Sequence, residues 1–318
     1  MNNSKTIYEK ILNANKIGIY THANVDGDAI GSAFAFYYFL KGLGKEVNVF
    51  AKTTIPDQLK FLQVEDFINK RTCKPYDLVI SVDCATKEMM NIYCSDFSNY
   101  KESIQFDHHP TNTHYTNLEI VESNRSSACE VIANFFYENG VKISEIMGKF
   151  LLTGIITDTG GFKFSCTKKD TMEIVYKLLT DCGIELSWLM SNIFESEKPE
   201  YLTLYKEAIL NAKLLYDNKI CIISIPYSFY NKTGIDPNSA KNLTRIGTEI
   251  KDVVLTAMVA EVEPNVCKVS FRSRKNYDCS ICAGVFGGGG HKQASGCKIF
   301  DNYNNVIERV IKSMADIL

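Results

Sequence analysis

The stretch KIGIYTHANVDGDAIGSAFAFYYFLK, residues 16–41, decides the fold. It begins with a strand-like run, KIGIY (16–20), turns through HANVDG, and continues into a helical run over residues 29–41. Further runs of both kinds follow: VNVFA (47–51), LVISV (78–82) and SIQF (103–106) are strand-like, and residues 128–139 are helical. This alternation predicts an α/β domain whose parallel sheet carries helices on both faces.

The chain is longer than one hydrophobic core usually supports, so its 318 residues predict two domains. We place a catalytic domain at 1–190, a helical linker at 191–219 and a second domain at 220–318. In the second domain, residues 220–225 are strand-like, and the runs 253–262 and 266–272, separated by a short turn, predict an antiparallel hairpin. We therefore expect a smaller α/β domain with a mixed sheet.

Composition excludes several classes of protein. The net charge of −2 is too small for a protein that coats long nucleic acid through charge alone. The longest apolar stretch, residues 29–40, is too short to cross a bilayer, and residues 1–16 lack the apolar centre of a secretory signal. Eleven scattered cysteines are typical of reduced thiols. We therefore expect a soluble, cytoplasmic protein without a membrane partner.

Aspartates and histidines are concentrated where the predicted strands end, which is where parallel sheets bind ligands. They are His22, Asp26 and Asp28 after the first strand, Asp83 after the third, Asp107, His108 and His109 after the fourth, and Asp158 in the small-residue segment TGIITDTGG (153–161). Carboxylates and imidazoles without thiolates suit Mn²⁺ or Mg²⁺, and the imidazoles favour manganese. These residues predict a site for two divalent ions that activates water for attack at phosphorus.

Each of these segments also has a simpler structural interpretation. Asp28 could be the N-cap of the following helix, and Asp158 could be a cap or turn residue. In the metal-site interpretation, Gly27 and Gly31 let the turn bend so that its side chains converge. Adjacent histidines point to different sides of the chain, so at most one of the pair should reach a given ion. The combination of segments favours the metal site.

A run of glycines marks the second domain. Gly287 to Gly290 precede His291, and successive glycines can turn backbone amides towards an anion. The residues after the run differ from the Gly-Lys-Ser/Thr ending of a Walker A loop. Arg272, at the end of a predicted strand, can bind phosphate with two hydrogen bonds. The alternatives are a flexible hinge for the glycines and a solvated surface charge for the arginine.

Together these motifs resemble those of the DHH superfamily of phosphoesterases with a C-terminal DHHA1 domain. The matching segments are HANVDGDAIGS, SVDCA, DHH, TGIITDTGGF, FRSRKN and GGGGHKQASG, and they cover nearly the whole chain. Within the superfamily, the length and motif order are similar to those of bifunctional oligoribonucleases and PAP phosphatases of the nanoRNase type. Val25 departs from the family pattern, which usually has proline before Asp26, but this change removes no ligand.

The resemblance implies a role for each motif. The two Mn²⁺ ions, with Mg²⁺ or Co²⁺ as alternatives, would be bound by His22, Asp26, Asp28, Asp83, His108 and Asp158, with Asp83 bridging them. His109 would contact the scissile phosphate, and Asp107 would orient the histidine pair. The nucleotide-binding face of the second domain would be formed by Arg272, Gly288, Gly289, Gly290 and His291.

Residues 220–318 contain 12 basic and 9 acidic side chains, and a small, mildly basic domain that holds one terminal nucleotide favours very short substrates. We expect hydrolysis of RNAs of two to five nucleotides to mononucleotides, and of 3′-phosphoadenosine 5′-phosphate to AMP and phosphate, by a hydroxide that bridges the metal ions. The alternatives are a phosphodiesterase for cyclic or linear dinucleotides (pApA or pGpG), an inorganic pyrophosphatase or exopolyphosphatase, and a non-catalytic nucleotide-binding module. The glycine run argues against a pyrophosphatase or exopolyphosphatase. The complete ligand set argues against a non-catalytic module. The sequence leaves the oligomeric state open, a homodimer included.

Overall fold

The computed structural model divides the chain into two compact units, Met1–Ser196 and Glu197–Leu318. The structure describes residues 3–51, 54–70, 75–196, 198–237, 243–274 and 277–318. Within those ranges, every helix is too short or too polar to span a membrane.

A parallel sheet of five strands forms the centre of the first unit. Its strands are β1 (Lys16–Tyr20), β2 (Glu46–Phe50), β3 (Leu78–Val82), β4 (Ser103–Asp107) and β5 (Leu118–Val121). They are arranged in the order β2-β1-β3-β4-β5, and every pair is parallel. The four predicted strands are confirmed to within one residue at each end, whereas β5 was not predicted. β3 and β4 are buried along their whole length, as expected for a sheet covered on both faces.

Helices pack on this sheet and on one another. They are α1 (Asn3–Asn13), α2 (Gly27–Gly42), α3 (Cys94–Ser98), α4 (Ala128–Glu138), α5 (Glu145–Asp158), α6 (Lys169–Cys182) and α7 (Leu186–Phe194). α2 lies between the sheet and α5: Phe36 packs on Phe106 of β4 with ring centroids 4.8 Å apart, and Phe34 stacks on Phe150 of α5 at 5.3 Å. Because α2 is buried on both sides, it has no polar face, which explains its unbroken apolar sequence.

The second unit is built on a mixed sheet, as predicted. Its elements are α8 (Glu200–Leu210), β6 (Lys213–Leu215), β7 (Ile220–Ile225), α9 (Tyr227–Thr233), α10 (Arg245–Thr248), β8 (Leu255–Glu263), β9 (Val266–Ser273), α11 (Cys279–Gly284), β10 (Gly289–His291), β11 (Ala294–Phe300) and α12 (Tyr303–Ala315). The strand order is β10-β11-β9-β8-β7-β6, in which the β7–β8 pair is parallel and the others antiparallel. β8 and β9 form the predicted hairpin.

The predicted linker, 191–219, contains regular structure. The boundary between the two compact units falls inside it, after Ser196. Leu204 and Ala208 of α8 are fully buried against Cys221 and Ile223 of β7. α8 is therefore part of the core of the second unit.

Candidate metal centre

Three neighbouring strands of the first unit end at one edge of the sheet. β1, β3 and β4 are adjacent and parallel, so their carboxyl ends coincide. His22 lies two residues beyond β1, Asp83 directly follows β3, and Asp107 is the last residue of β4. The sheet thus brings together side chains that are far apart in sequence.

Two helices contribute the other carboxylates. Asp26 is the N-cap of α2 and accepts hydrogen bonds from the backbone N–H groups of Asp28 (3.1 Å) and Ala29 (3.0 Å). The alternative in which Asp28 caps this helix was therefore wrong, because Asp26 does so. Asp158 is the last residue of α5, which packs against α2.

The carboxylate of Asp28 is bound by a different helix. It is fully buried and accepts hydrogen bonds from the backbone N–H groups of Ala128 (2.6 Å) and Cys129 (2.8 Å) in the first turn of α4. These N–H groups belong to the positive end of the helix dipole. The N-cap of α4 is Ser127, which accepts a hydrogen bond from the N–H of Glu130. The start of α4 therefore fixes the position of Asp28.

Glycines allow α2, α4 and α5 to approach one another closely. A Cβ on Gly154 of α5 would lie 2.2 Å from the Sγ of Cys129 and 2.7 Å from the Oδ1 of Asp28, and one on Gly31 would lie 2.5 Å from the carbonyl oxygen of Phe150. The prediction that Gly27 and Gly31 bend the turn was wrong: both lie within α2 and neither has a left-handed φ. Their function is to leave space for the neighbouring helix.

The side chains form three overlapping groups, and within each group the nitrogen and oxygen atoms lie within 4.8 Å of one another. The groups are His22, Asp26 and Asp83; Asp83, His108 and His109; and Asp28, His108 and Asp158. The Oδ2 of Asp83 is 3.1 Å from the Nε2 of His22, and its Oδ1 is 3.6 Å from the Nε2 of His108. The same His108 nitrogen lies 3.4 Å from the Oδ2 of Asp158. All six predicted metal ligands therefore converge, with Asp83 and His108 each shared by two groups.

Asp83 turns the backbone at the end of β3, and its side chain fits a bound cation. Its φ of 55° is in the left-handed region, which aspartate adopts more readily than most residues and which directs the chain away from the end of β3. Its Oδ1 is buried and has no hydrogen-bond partner among the described residues. A buried carboxylate oxygen without a partner is costly. A divalent cation would satisfy this oxygen.

The electrostatics of the cluster also favour a cation. Burial, together with the charge of Asp26, raises the pKa of Asp28 to about 6. Burial and the charge of Asp28 raise the pKa of Asp83, and raise that of Asp158 well above its ordinary value. Several carboxylates thus repel one another in a buried space. The oxygen and imidazole donors fit Mn²⁺ or Mg²⁺, which would relieve this repulsion.

The two adjacent histidines are in different environments. The Nε2 of His108 faces Asp28, Asp83 and Asp158, and burial lowers its pKa. The Nδ1 of His109 donates a hydrogen bond to the Oδ1 of Asp107 at 2.8 Å. Burial opposes a charge on His109, but the bond to Asp107 and the charge of Asp83 outweigh it and raise the pKa of His109 to about 9.

The sequence analysis did not identify Asn112, whose side-chain amide donates a hydrogen bond to the Oδ2 of Asp107 at 2.6 Å. Asp107 is fully buried, and burial alone would raise its pKa, but the hydrogen bonds from His109 and Asn112 lower it. In the sequence, the only indication of this contact is that a polar residue follows His109 after three positions.

In the second unit, the predicted binding residues lie on neighbouring strands. His291, Ala294 and Arg272 share one register across β10, β11 and β9, so their side chains lie on the same face of the sheet. Gly289 and Gly290 are part of β10, and a Cβ on Gly288 would lie 2.3 Å from the carbonyl oxygen of Gly296 on β11. The hinge alternative is therefore wrong for this part of the glycine run.

Arg272 is a partly buried cation. Its guanidinium donates a hydrogen bond to the carbonyl oxygen of Phe271 at 2.9 Å, and burial lowers its pKa. In the described part of the chain, no carboxylate lies within ion-pair distance of it. An anion would compensate this charge.

Comparisons with known proteins match both compact units. The model of the DHH family, N-terminal domain, matches residues 16–155, and that of the DHHA1 domain matches residues 217–318. The bifunctional oligoribonuclease and PAP phosphatase NrnA of Thermus thermophilus is 27% identical over 95% of this chain and 90% of its own length. Its namesake from Bacillus subtilis is 26% identical over 89% of this chain and 88% of its own length.

A solved structure shows the same fold. The crystal structure of an exopolyphosphatase-related protein from Bacteroides fragilis superposes with a TM-score of 0.91 at 23% identity, covering 99% of this chain and 96% of that one. The match to the DHH family lies within the first compact unit and the DHHA1 match within the second, so this chain carries a DHH domain followed by a DHHA1 domain.

Proposed function

We propose that this DHH-family phosphoesterase hydrolyses RNAs of two to five nucleotides to mononucleotides, and 3′-phosphoadenosine 5′-phosphate to AMP and phosphate. The observation that carries the proposal is the convergence of carboxylates and imidazoles around Asp83, whose buried Oδ1 lacks a hydrogen-bond partner among the described residues. The relatives named bifunctional oligoribonuclease and PAP phosphatase support the choice of substrates.

We assign the binding of two divalent ions, preferably Mn²⁺, to the convergent side chains, with Asp83 shared between the ions; the full set is His22, Asp26, Asp28, Asp83, His108 and Asp158. Ions bound there would lower the pKa of water and neutralise negative charge at phosphorus. His109 would contact an oxygen of the scissile phosphate. Its raised pKa favours the charged imidazolium, which suits an anionic partner, and Asp107 holds its ring.

We assign recognition of the nucleotide to the second unit. Arg272 supplies a partly buried positive charge, and His291 lies on the same face of the sheet. Gly289 has open space where a side chain would stand, which leaves its backbone accessible to a phosphate or a base, whereas Gly288 and Gly290 lie against β11. Binding of one nucleotide here would favour short substrates, because a longer RNA gains no further contact from this small site.

The assay that tests this function uses the purified chain with Mn²⁺ and separates the products by HPLC. The substrates are pApA, a longer RNA, 3′-phosphoadenosine 5′-phosphate, cyclic di-AMP and pyrophosphate. We expect pApA and water to give two AMP, and 3′-phosphoadenosine 5′-phosphate and water to give AMP and phosphate, with slower turnover of the other three. Rapid hydrolysis of pyrophosphate without hydrolysis of pApA would overturn the proposal, and preferential cleavage of cyclic di-AMP would replace it with the cyclic-dinucleotide alternative.

A further inference from the structure

The carboxylate of Asp107 is bound on both sides. One oxygen accepts a hydrogen bond from the ring of His109 (2.8 Å), and the other accepts one from the side-chain amide of Asn112 (2.6 Å). Asp107 is fully buried, so each oxygen needs a donor to compensate for the water it has lost. The orientation of the Asn112 amide follows from chemistry, because an ionised carboxylate can only accept and must face the NH₂ group.

The other contacts of Asn112 fix its side chain. Its Oδ1 accepts a hydrogen bond from the backbone N–H of His114 at 2.7 Å. Its Nδ2 also donates to the Oε1 of Gln105 at 3.1 Å, and lies 3.4 Å from the carbonyl oxygen of Cys84. Both ends of the amide are therefore bound, and rotation of the side chain would break several hydrogen bonds at once.

Gln105 and Glu119 connect Asn112 to the sheet. Gln105 is a fully buried residue of β4 and is the register partner of Glu119 on β5. The Nε2 of Gln105 donates to the Oε2 of Glu119 at 2.7 Å, and the Oε1 of Glu119 lies 2.8 Å from the Nδ1 of His114. Since the backbone of His114 binds Asn112, these residues form a closed ring of hydrogen bonds. The ring anchors the loop after β4 on two strands.

We propose that Asn112 is a positioning residue: held by Gln105 and the backbone of His114, it fixes the carboxylate of Asp107 and, through it, the ring of His109 towards the phosphate. The inference deepens the proposed function and rests on it for the role of His109. A polar residue that only anchored the loop would need no bond to Asp107. Partners of this kind, one step behind the reacting groups, typically contribute about 10- to 100-fold to activity.

The kinetic test is a double-mutant cycle with pApA and Mn²⁺. Asn112→Ala should lower kcat about 10- to 100-fold while KM and the manganese affinity change less than about twofold. In a His109→Ala background, the same change should have almost no further effect on kcat, because the ring through which Asn112 acts on the substrate is absent. An equal loss in both backgrounds, or no loss in the wild type, would overturn the inference.

Two further variants separate positioning from loop anchoring. Asn112→Asp keeps an oxygen for the His114 N–H but replaces the donor to Asp107 with a second acceptor. It should therefore be at least as damaging to kcat as Asn112→Ala, whereas an anchoring role predicts partial rescue. The matched control is Asn117→Ala, which removes an asparagine from the same loop that bonds to Ser103 and not to Asp107. This control should change kcat by less than about threefold.

A measurement without metal or substrate tests the inference independently of the proposed function. In protein labelled with [¹⁵N]histidine, the hydrogen-bonded Nδ1–H of His109 should give an exchange-protected resonance, assigned by its absence in His109→Ala. The resonance should persist in Asn117→Ala and be lost or broadened in Asn112→Ala. Persistence of the resonance in Asn112→Ala would refute the positioning role. If the wild type instead proved inactive on pApA, that result would count only against the proposed function.

Discussion

At the scale of single residues, Asp83 belongs to two of the three candidate ligand groups. It shares one group with His22 and Asp26 and another with His108 and His109. Its Oδ1 is buried and has no hydrogen-bond partner among the described residues, an arrangement that costs stability. A side chain that lowers the stability of the fold is typical of a functional site, and at Asp83 a bound cation would offset this cost.

Asp83→Asn should abolish binding of one or both Mn²⁺ ions and reduce hydrolysis of pApA at least about 100-fold. The metal-free variant should be as stable as the metal-free wild type or more stable, because burial and Asp28 raise the pKa of Asp83 and its ionised form is therefore unfavourable in the fold. Thermal melts measure the stability, metal analysis after gel filtration measures the bound manganese, and the pApA assay measures the hydrolysis. The control is Asp66→Asn, whose side chain is 95% exposed. An active Asp83→Asn enzyme with normal metal content would contradict the assignment.

The affinity for manganese should decrease as the pH falls. Burial and Asp26 raise the pKa of Asp28 to about 6, so below that pH the carboxylate holds a proton that a metal ion must displace. The raised pKa values of Asp83 and Asp158 act in the same direction. From pH 7 to pH 5 we expect the affinity to fall by about tenfold or more, since each displaced proton costs about tenfold per pH unit. Isothermal titration at pH 7, 6 and 5 measures this, and a constant affinity would show that Asp28 is not a ligand.

At the scale of elements, the packing of α2 against α5 determines where Asp28 and Asp158 lie. Gly154 faces Asp28 and Cys129 so closely that a methyl group cannot be accommodated. Gly154 therefore lies where α5 must pack closely on its neighbours and also leave space for the carboxylate of Asp28.

Gly154→Ala should push α5 away from Cys129 of α4 and from the side chain of Asp28, and so displace Asp28. We expect a loss of about 1–3 kcal/mol in the free energy of unfolding from overpacking, together with weaker manganese binding. The matched control is Gly42→Ala near the end of α2, where an added Cβ meets nothing within 4 Å. Because alanine favours helices over glycine, this control should be neutral or stabilising by up to about 1 kcal/mol. Equal stability and metal binding in both variants would contradict the packing argument.

The sequence predicted β1 to β4 of the first unit but missed β5 and some of the helices. Runs such as LVISV (78–82) are apolar throughout because both faces of β3 are covered, and this signal is clear. β5 has only four half-buried residues and includes Glu119, so its pattern is weak. α5 was missed because nearly all of its faces are buried and it contains two glycines, which hides the helical periodicity.

The candidate ligands were easier to predict than the residues that support them. His22, Asp83 and Asp107 follow strands, and their spacing is visible in one dimension. The contact between Asn112 and Asp107 depends on how the loop after β4 folds back, and the contact between Asp28 and α4 joins residues 100 positions apart. Neither contact leaves a pattern in the sequence.

At the scale of the whole molecule, the two units contain different chemistry. The first carries the cluster of acidic side chains and imidazoles, and the second carries Arg272 and the glycine-bearing hairpin of β10 and β11. Hydrophobic cores are separate as well, so a substitution in one unit should leave the other folded.

Arg272→Ala should raise KM for pApA by about 10-fold or more, because a charge-assisted bond to a phosphate is lost. Manganese content should remain that of the wild type. The control is Lys298→Ala on β11, an exposed cation whose ammonium lies 5.2 Å from the ring of Phe300, and it should change KM by less than about twofold. Unchanged kinetics in Arg272→Ala would remove this residue from the nucleotide site, and lost manganese would show that the two units do not act separately.

The most direct test is anomalous X-ray scattering from crystals of the protein grown with Mn²⁺, with data collected on both sides of the manganese absorption edge. We predict two anomalous peaks in the first unit, both in contact with the carboxylate of Asp83, one towards His22 and Asp26 and the other towards Asp28, His108 and Asp158. A map with no peak among these side chains at saturating manganese would contradict the account.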